Sequence, residues 1–397
     1  MVRNAQGGVR GRTPNTRSAK GISAAAGLLS LVVLLAACGS LESDSNESTG
    51  SDSAGTQAAV QAAAKIAAQY SAPPTKILQN TPLAKQPTEG VKSVVLTSGS
   101  PAANLASDSA CQGVKSVGWE CKVVSFDATN PATFQAGVQT ALQEGAKFIM
   151  NDGTPPSLLG PELIKDICDS GAYFVSASVY PDETKDCITT VTDGGEARTL
   201  FATALANWFI ADSDGKGNAL VSTISQFPVL FWFATEFKRI VEENCPDCKV
   251  TLRKFTGADL ANGAVVPALT STLRSSPEYN YLVLDYAGSA QGIDASLASA
   301  GITSVKVIGT GLDQNSLASI KAGTQHAWVA QSWFQEGYAM ADVALRLETG
   351  SDGIENTATP AIQLITADNA ADVNGPNDEW NQPADALEEF QTLWNVG

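Results

Sequence analysis

A two-lobed α/β fold is predicted by three features of the chain. From Val91 onward, short β-branched or apolar runs alternate with longer stretches of helical period, the pattern of parallel sheets covered by helices on both faces. The alternation comes in two successive sets. The roughly 300 residues that carry it are enough for two lobes, each with its own core.

The first set of strands is read at Val94–Ser98, Lys122–Phe126, Lys147–Asn151, Ala172–Ser176 and Cys187–Val191. The second is read at Asn218–Ile224, Lys249–Phe255, Tyr281–Asp285, Val305–Thr310 and Ala327–Gln331. The helices between them have recognisable ends. Asn130-Pro131 offers an N-cap with proline at the first helical position, Phe134, Val138 and Leu142 share one face, and Gly145 closes the helix. Gly171, Gly301 and Gly323 end theirs in the same way. Doubly wound sheets bind ligands beyond the C-terminal ends of their strands, so strand ends are where function is sought.

Ahead of this body, Arg3, Arg10, Arg12, Arg17 and Lys20 precede an apolar run from Gly21 to Ala37 that ends in Leu35-Ala36-Ala37-Cys38-Gly39. The run is short for a membrane span of roughly 20 residues and reads as an export signal. The terminal box resembles that of bacterial lipoproteins. The resemblance implies cleavage of residues 1–37 and acylation of Cys38, which would anchor the protein to the outer face of the cell membrane. An uncleaved anchor helix is the other reading. Residues 38–90 are expected to be a tether: Gly39–Gly55 has almost nothing apolar to bury, Gln57–Gln69 is an Ala-rich marginal helix, and Pro73, Pro74, Pro82 and Pro87 break any continuation.

The whole chain carries a net charge of −16; cleavage would remove five of its 25 Lys and Arg and none of its 41 Asp and Glu, leaving −21. Nucleic acid is thereby excluded as an expected partner. With Cys38 lipidated, six of the seven cysteines remain, an even number suited to an oxidising compartment. Fifteen pairings are possible, and proximity favours Cys111 with Cys121, Cys168 with Cys187 and Cys245 with Cys248. The Cys245-Pro-Asp-Cys248 pair follows a helix ending at Asn244 instead of opening one, which argues against a reactive dithiol. No second cysteine pair stands at zinc spacing, and no metal or cofactor is expected.

The stretch Gly215-Lys-Gly-Asn-Ala-Leu-Val-Ser-Thr-Ile, then Ala234-Thr-Glu-Phe-Lys, Gly309-Thr-Gly-Leu-Asp-Gln, Ile320-Lys-Ala-Gly, Val329-Ala-Gln-Ser and Glu336-Gly, in this order and spacing, resembles the type I periplasmic binding proteins. The resemblance implies two doubly wound lobes joined by three crossovers, near Asp193, Gln331 and Thr359, closing over one small ligand. The corresponding division is residues 91–192 plus 332–358 for the N-terminal lobe, 193–331 plus 359–366 for the C-terminal lobe, and 367–397 for an acidic tail. It further implies a monomer that is not an enzyme and that delivers its ligand to an ABC permease in the membrane.

Gln331 matches the glutamine that sugar-binding members use at the last crossover; its amide both donates and accepts, and it serves either a ligand hydroxyl or the hinge backbone. The other sugar positions depart from the family pattern. Ser98-Gly-Ser100 follows the first strand and Ser178-Val179-Tyr180 the fourth, where charged or amide groups are usual. An aromatic block, Gln226 to Phe233, opens the second-lobe helix, with Phe227 and Trp232 nearest its loop, and Tyr286, Trp333 and Phe334 stand at other strand ends. Such faces suit a sugar ring or a less polar solute. Asp152 and Asp285 end strands in the two lobes and serve either as ligand acceptors or as helix caps. The expected ligand-binding set is therefore Ser98, Ser100, Asp152, Ser178, Tyr180, Phe227, Trp232, Asp285, Tyr286, Gln331 and Trp333.

Two other functions are weighed. A ligand-sensing subunit of a membrane receptor would use the same clamshell. An exported hydrolase lacks support, since the single histidine, His326, lies in a strand and no Gly-x-Ser-x-Gly elbow is present.

Overall fold

The computed structural model describes residues 49–373, 375 and 379–396. The export signal and Cys38 lie outside the described residues. Two six-stranded sheets organise the rest. The first contains β1 (Lys92–Thr97), β2 (Glu120–Ser125), β3 (Phe148–Asp152), β4 (Tyr173–Ala177), β5 (Thr184–Lys185) and β6 (Ile188–Thr190), in the order β2-β1-β3-β4-β6-β5. The second contains β7 (Asn218–Ile224), β8 (Lys249–Phe255), β9 (Tyr281–Leu284), β10 (Lys306–Thr310), β11 (Ala327–Gln331) and β12 (Ile362–Thr366), in the order β12-β11-β10-β9-β7-β8. All pairings are parallel except those of the edge strands β5 and β12.

The two orders are the same doubly wound order. Each reverses direction beside its first strand, between β1 and β3 and between β7 and β9, so the loops after these four strands form the mouths of the sheets. Both faces of each sheet are buried, which is why the central strands read as unbroken apolar runs: Val94–Leu96 and Phe148–Met150 in the first, Ala219–Val221 and Leu282–Leu284 in the second.

The chain passes between the sheets three times. It leaves β6 for the helix Gly195–Asp212, which packs on the second sheet through Phe201, Leu205 and Phe209. It returns after β11 into Trp333–Thr349, which packs on the first sheet through Met340, Val343 and Leu345. After the 3₁₀ turn Ile354–Thr357 it crosses again into β12. Two six-stranded lobes with a three-crossover hinge thus stand as the sequence predicts.

Two terminal segments differ from the expectation. The tether expected over residues 38–90 does not extend that far, because Thr49–Ala68 is a helix lying on Gly195–Asp212, with Ala63 and Ala67 buried in the second-lobe core. Small side chains let the two backbones approach, and that contact supplies the burial that composition alone could not reveal. Past it, Tyr70 O accepts from Leu364 N at 2.7 Å on the second lobe, while Ile77 and Leu83 enter the first-lobe core. The described residues of the acidic tail also dock on the body. Trp380 is buried in the second lobe, and Ala386–Leu393 forms a helix that places Phe390 and Trp394 in the first. Each terminal segment therefore also runs from lobe to lobe, and they meet where Leu83 N donates to Leu393 O at 2.8 Å.

The three disulfides join Cys111 to Cys121, Cys168 to Cys187 and Cys245 to Cys248, with Cα separations of 5.4, 5.2 and 5.3 Å. Each lies within one lobe, so none ties the lobes together.

Candidate functional site

The mouths of the two sheets face one another, and the side chains that meet there are mostly charged. Asp152 ends β3. Ser178 follows β4 in the left-handed region at φ 55°, and Asp193, at φ 56°, lies on the first crossover. Gln331 ends β11, and Glu336 occupies the first turn of the helix that follows. These residues form one buried network. The Ser178 hydroxyl lies 2.9 Å from Asp193 Oδ2 and 2.7 Å from Glu336 Oε1. Gln331 Nε2 donates to Asp193 Oδ2 at 3.0 Å and to Glu336 Oε2 at 3.3 Å. Arg198, one turn into the second-lobe helix, forms an ion pair with Asp193.

Several polar atoms in this network have no partner among the described residues: Asp152 Oδ1, Asp193 Oδ1, Gln331 Oε1 and Arg198 Nε. Asp285, after β9, adds another. Its Oδ2 accepts from Ile224 N at 2.8 Å, while its buried Oδ1 has no hydrogen bond of good geometry among the described residues, though the Thr223 hydroxyl lies beside the carboxylate. A buried polar atom without a partner costs about 1–3 kcal/mol, and five such atoms among the described residues fall in this one region at the junction of two lobes.

Burial governs the electrostatics. Desolvation raises Glu336 well above the ordinary carboxyl range, reinforced by the charges of Asp152 and Asp193 and by its hydrogen bond with Asp152. Burial likewise pushes Asp193 up, against the pull of Arg198. Asp285 is pushed up to about 6, mainly by desolvation. Glu379, from the C-terminal segment, is pushed up to about 7 by burial and by Asp313. Tyr286 is pushed up to about 12 by burial and then by the charges of Asp152, Asp313 and Glu379.

Aromatic side chains flank the network. Tyr180, on the first-lobe loop after β4, stacks on Trp232 of the second lobe, with ring centroids 4.7 Å apart and planes 19° from parallel. The Trp232 indole N–H donates to Gly195 O at 3.0 Å and to Thr199 Oγ1 at 3.2 Å. Gly195 makes this packing possible, since a Cβ there would lie 2.7 Å from the Tyr180 ring. Tyr286 and Trp333, from opposite lobes, both approach Gly311, whose φ of 69° also favours glycine.

The residues expected at the site thus fall into three groups. Asp152, Ser178, Asp285 and Gln331 meet in or beside the buried network, and Tyr180, Trp232, Tyr286 and Trp333 surround it. Ser98 is half-buried at the end of β1, and Phe227, at 39 % exposed, stands at the mouth before Pro228–Asn244. Ser100 is already engaged, its hydroxyl accepting from Ala103 N at 3.2 Å as the N-cap of Pro101–Ser116. Asp193, Arg198, Glu336 and Glu379 were missed. Arg198 had a readable signal, a lone cation in the otherwise apolar and small-residue stretch Ala197–Phe209. Among the described residues, no three His, Cys, Asp or Glu side chains are placed to hold a metal ion.

Two sheets of this order, hinged three times with polar groups converging between them, define a two-lobed binding protein. Residues 93–352 match the model of the periplasmic binding protein domain, and the chain belongs to that family. Several solved structures share the fold. The solute-binding protein of a 5-methylthioribose transporter from Thermotoga lettingae, in complex with 5-methylthioribose, is 16 % identical with a TM-score of 0.62, over 80 % of this chain and 99 % of that one. An ABC transporter solute-binding protein from Mycobacterium smegmatis with bound glycerol is 16 % identical with a TM-score of 0.62, over 74 % and 100 % of the two chains. One from Agrobacterium vitis with bound allitol is 17 % identical with a TM-score of 0.60, over 72 % and 99 %. No curated protein matches the sequence.

Proposed function

We propose that this chain is an extracytoplasmic solute-binding lipoprotein that captures one small molecule between its lobes and delivers it to an ABC import permease. The observation that carries the reading is the set of buried, unpartnered polar atoms drawn from both lobes and from the hinge. A permanent structural core leaves few such atoms, whereas a binding site keeps them for its ligand to meet. The bound solutes of the structural neighbours, among them allitol and glycerol, are small and hydroxyl-rich. The Leu35-Ala-Ala-Cys38 box supports a lipid anchor on the outer face of the cell membrane, where a permease would be met.

The direct test is a thermal-shift screen of the purified chain against sugars, polyols, nucleosides, aromatic acids and amines. A solute at 100 times its dissociation constant stabilises by about 2.7 kcal/mol, which shifts the midpoint by several degrees. Stabilisation abolished by Gln331→Ala places the solute at the hinge. Stabilisation indifferent to Gln331 and to Asp152 places it elsewhere and contradicts the reading. Lipidation is tested separately by palmitate labelling, expected in the natural chain and lost in Cys38→Ser.

A further inference from the structure

We infer that the solute carries a protonated amine, seated among Asp152, Asp193, Asp285 and Glu336. The inference rests on the proposed capture between the lobes and narrows it to a class of ligand.

Charge balance gives the first argument. Four carboxyl groups, all at least nine-tenths buried, face a single guanidinium, that of Arg198, and Asp313 and Glu379 add their fields at Tyr286. Among the described residues, no other arginine or lysine takes part in this network's hydrogen bonds or ion pairs. Buried carboxylates of like sign repel one another unless a cation enters or protons are taken up. Burial, reinforced by the charges of Asp152 and Asp193, holds Glu336 well above the ordinary carboxyl range, which eases that repulsion where no cation stands.

Hydrogen-bond balance gives the second argument, independent of charge. Of the unpartnered atoms at the site, four are acceptors: Asp152 Oδ1, Asp193 Oδ1, Asp285 Oδ1 and Gln331 Oε1. Two can donate: Arg198 Nε and the Thr223 hydroxyl beside Asp285. A neutral polyol brings a donor and an acceptor with every hydroxyl and would leave its own acceptors unmet. A protonated primary or secondary amine brings two or three donors and no acceptor. A quaternary ammonium has no N–H to give and leaves the surplus untouched. A bare metal ion is disfavoured too, since no three carboxylates among the described residues are placed to ligate one. The aromatic rings of Tyr286 and Trp333 beside the network suit the uncharged body of such an amine.

The test compares matched pairs on the full-length chain at pH 7.5: glucosamine with glucose, putrescine with 1,4-butanediol, and tyramine with its neutral alcohol, tyrosol. Thermal shift selects the compounds and calorimetry measures them. The expected result is that at least one amine binds at least tenfold more tightly than its neutral partner, and that Asp152→Asn or Asp193→Asn removes that preference. A neutral member binding as tightly as its amine, with an affinity that Gln331→Ala lowers, overturns the amine assignment and leaves solute capture standing. Failure of every amine and every neutral compound to bind overturns both. Amine binding that survives Asp152→Asn, Asp193→Asn and Gln331→Ala marks attraction to the acidic surface and also overturns the assignment.

Discussion

The Tyr180 ring covers the Trp232 indole across the two lobes, 4.7 Å from centroid to centroid and nearly parallel. Trp232 is fixed from below by its bonds to Gly195 O and Thr199 Oγ1, so the contact joins a first-lobe loop to a rigid second-lobe helix. The stack is thus a direct contact between the lobes. Such pairs are worth about 0.5–1.5 kcal/mol beyond the area they bury. Tyr180→Ala and Trp232→Ala are each expected to weaken solute binding about tenfold, and the double variant by much less than the product. Full additivity in calorimetry would show that the two rings act separately.

Asp342 ties both terminal segments to the hinge helix Trp333–Thr349. Its carboxylate accepts from Arg346 Nε at 2.7 Å, from Gln79 Nε2 at 2.9 Å and from Trp394 Nε1 at 2.8 Å, and both members of the ion pair are fully buried. Asp342→Ala would leave the Arg346 charge unpaired in the core. The expected loss is about 3–5 kcal/mol in urea unfolding. Trp394→Ala opens a cavity and loses one of these bonds, at a similar cost of about 3–5 kcal/mol. Near-neutral values would mean that the C-terminal helix does not dock.

Gly337 is where the hinge helix crosses Pro101–Ser116 most closely. A Cβ there would lie 2.2 Å from Ala106 O and 2.6 Å from Ser109 Cβ, and neither can yield without moving the helix. Gly337→Ala should therefore destabilise the first lobe by at least about 1–3 kcal/mol, although alanine ordinarily favours a helix interior. An unchanged melting temperature would contradict the packing.

The buried acids predict a pH dependence of the empty protein. Asp285 and Glu379 have folded-state values near 6 and 7, above the ordinary 3.8 and 4.5. The folded state thus holds more protons than the unfolded one between those limits, and stability falls as pH rises through them. The solute-free chain should melt at a higher temperature at pH 5 than at pH 7.5. Glu379→Gln should flatten the upper part of that slope, and a slope of the opposite sign would show that these carboxyls are not buried.

Much of the fold was legible because parallel strands buried on both faces leave long apolar runs: β7, β8 and β11 lie where the sequence placed them. The edge strand β12 was passed over because it sits just ahead of the acidic tail, and its pairing with β11 is antiparallel. The helix Thr49–Ala68 looked too weak to stand alone, and its support comes from a partner helix some 150 residues away. At the site, strand-end residues such as Asp152, Asp285 and Gln331 could be placed by position. Asp193, Arg198 and Glu336 could not, because their meaning lies in a network whose bonds join residues as distant as Ser178 and Glu336, 158 positions apart in sequence.

The claim that a solute is held between the lobes is tested most directly by hydrogen–deuterium exchange, with and without a solute that stabilises the chain. Amides around Asp152, Ser178–Tyr180, Asp193–Thr199, Asp285–Tyr286 and Gln331–Glu336 are expected to slow together, because one ligand completes the network and holds both lobes. Slowing confined to a single lobe, or at a surface away from the hinge, would contradict it.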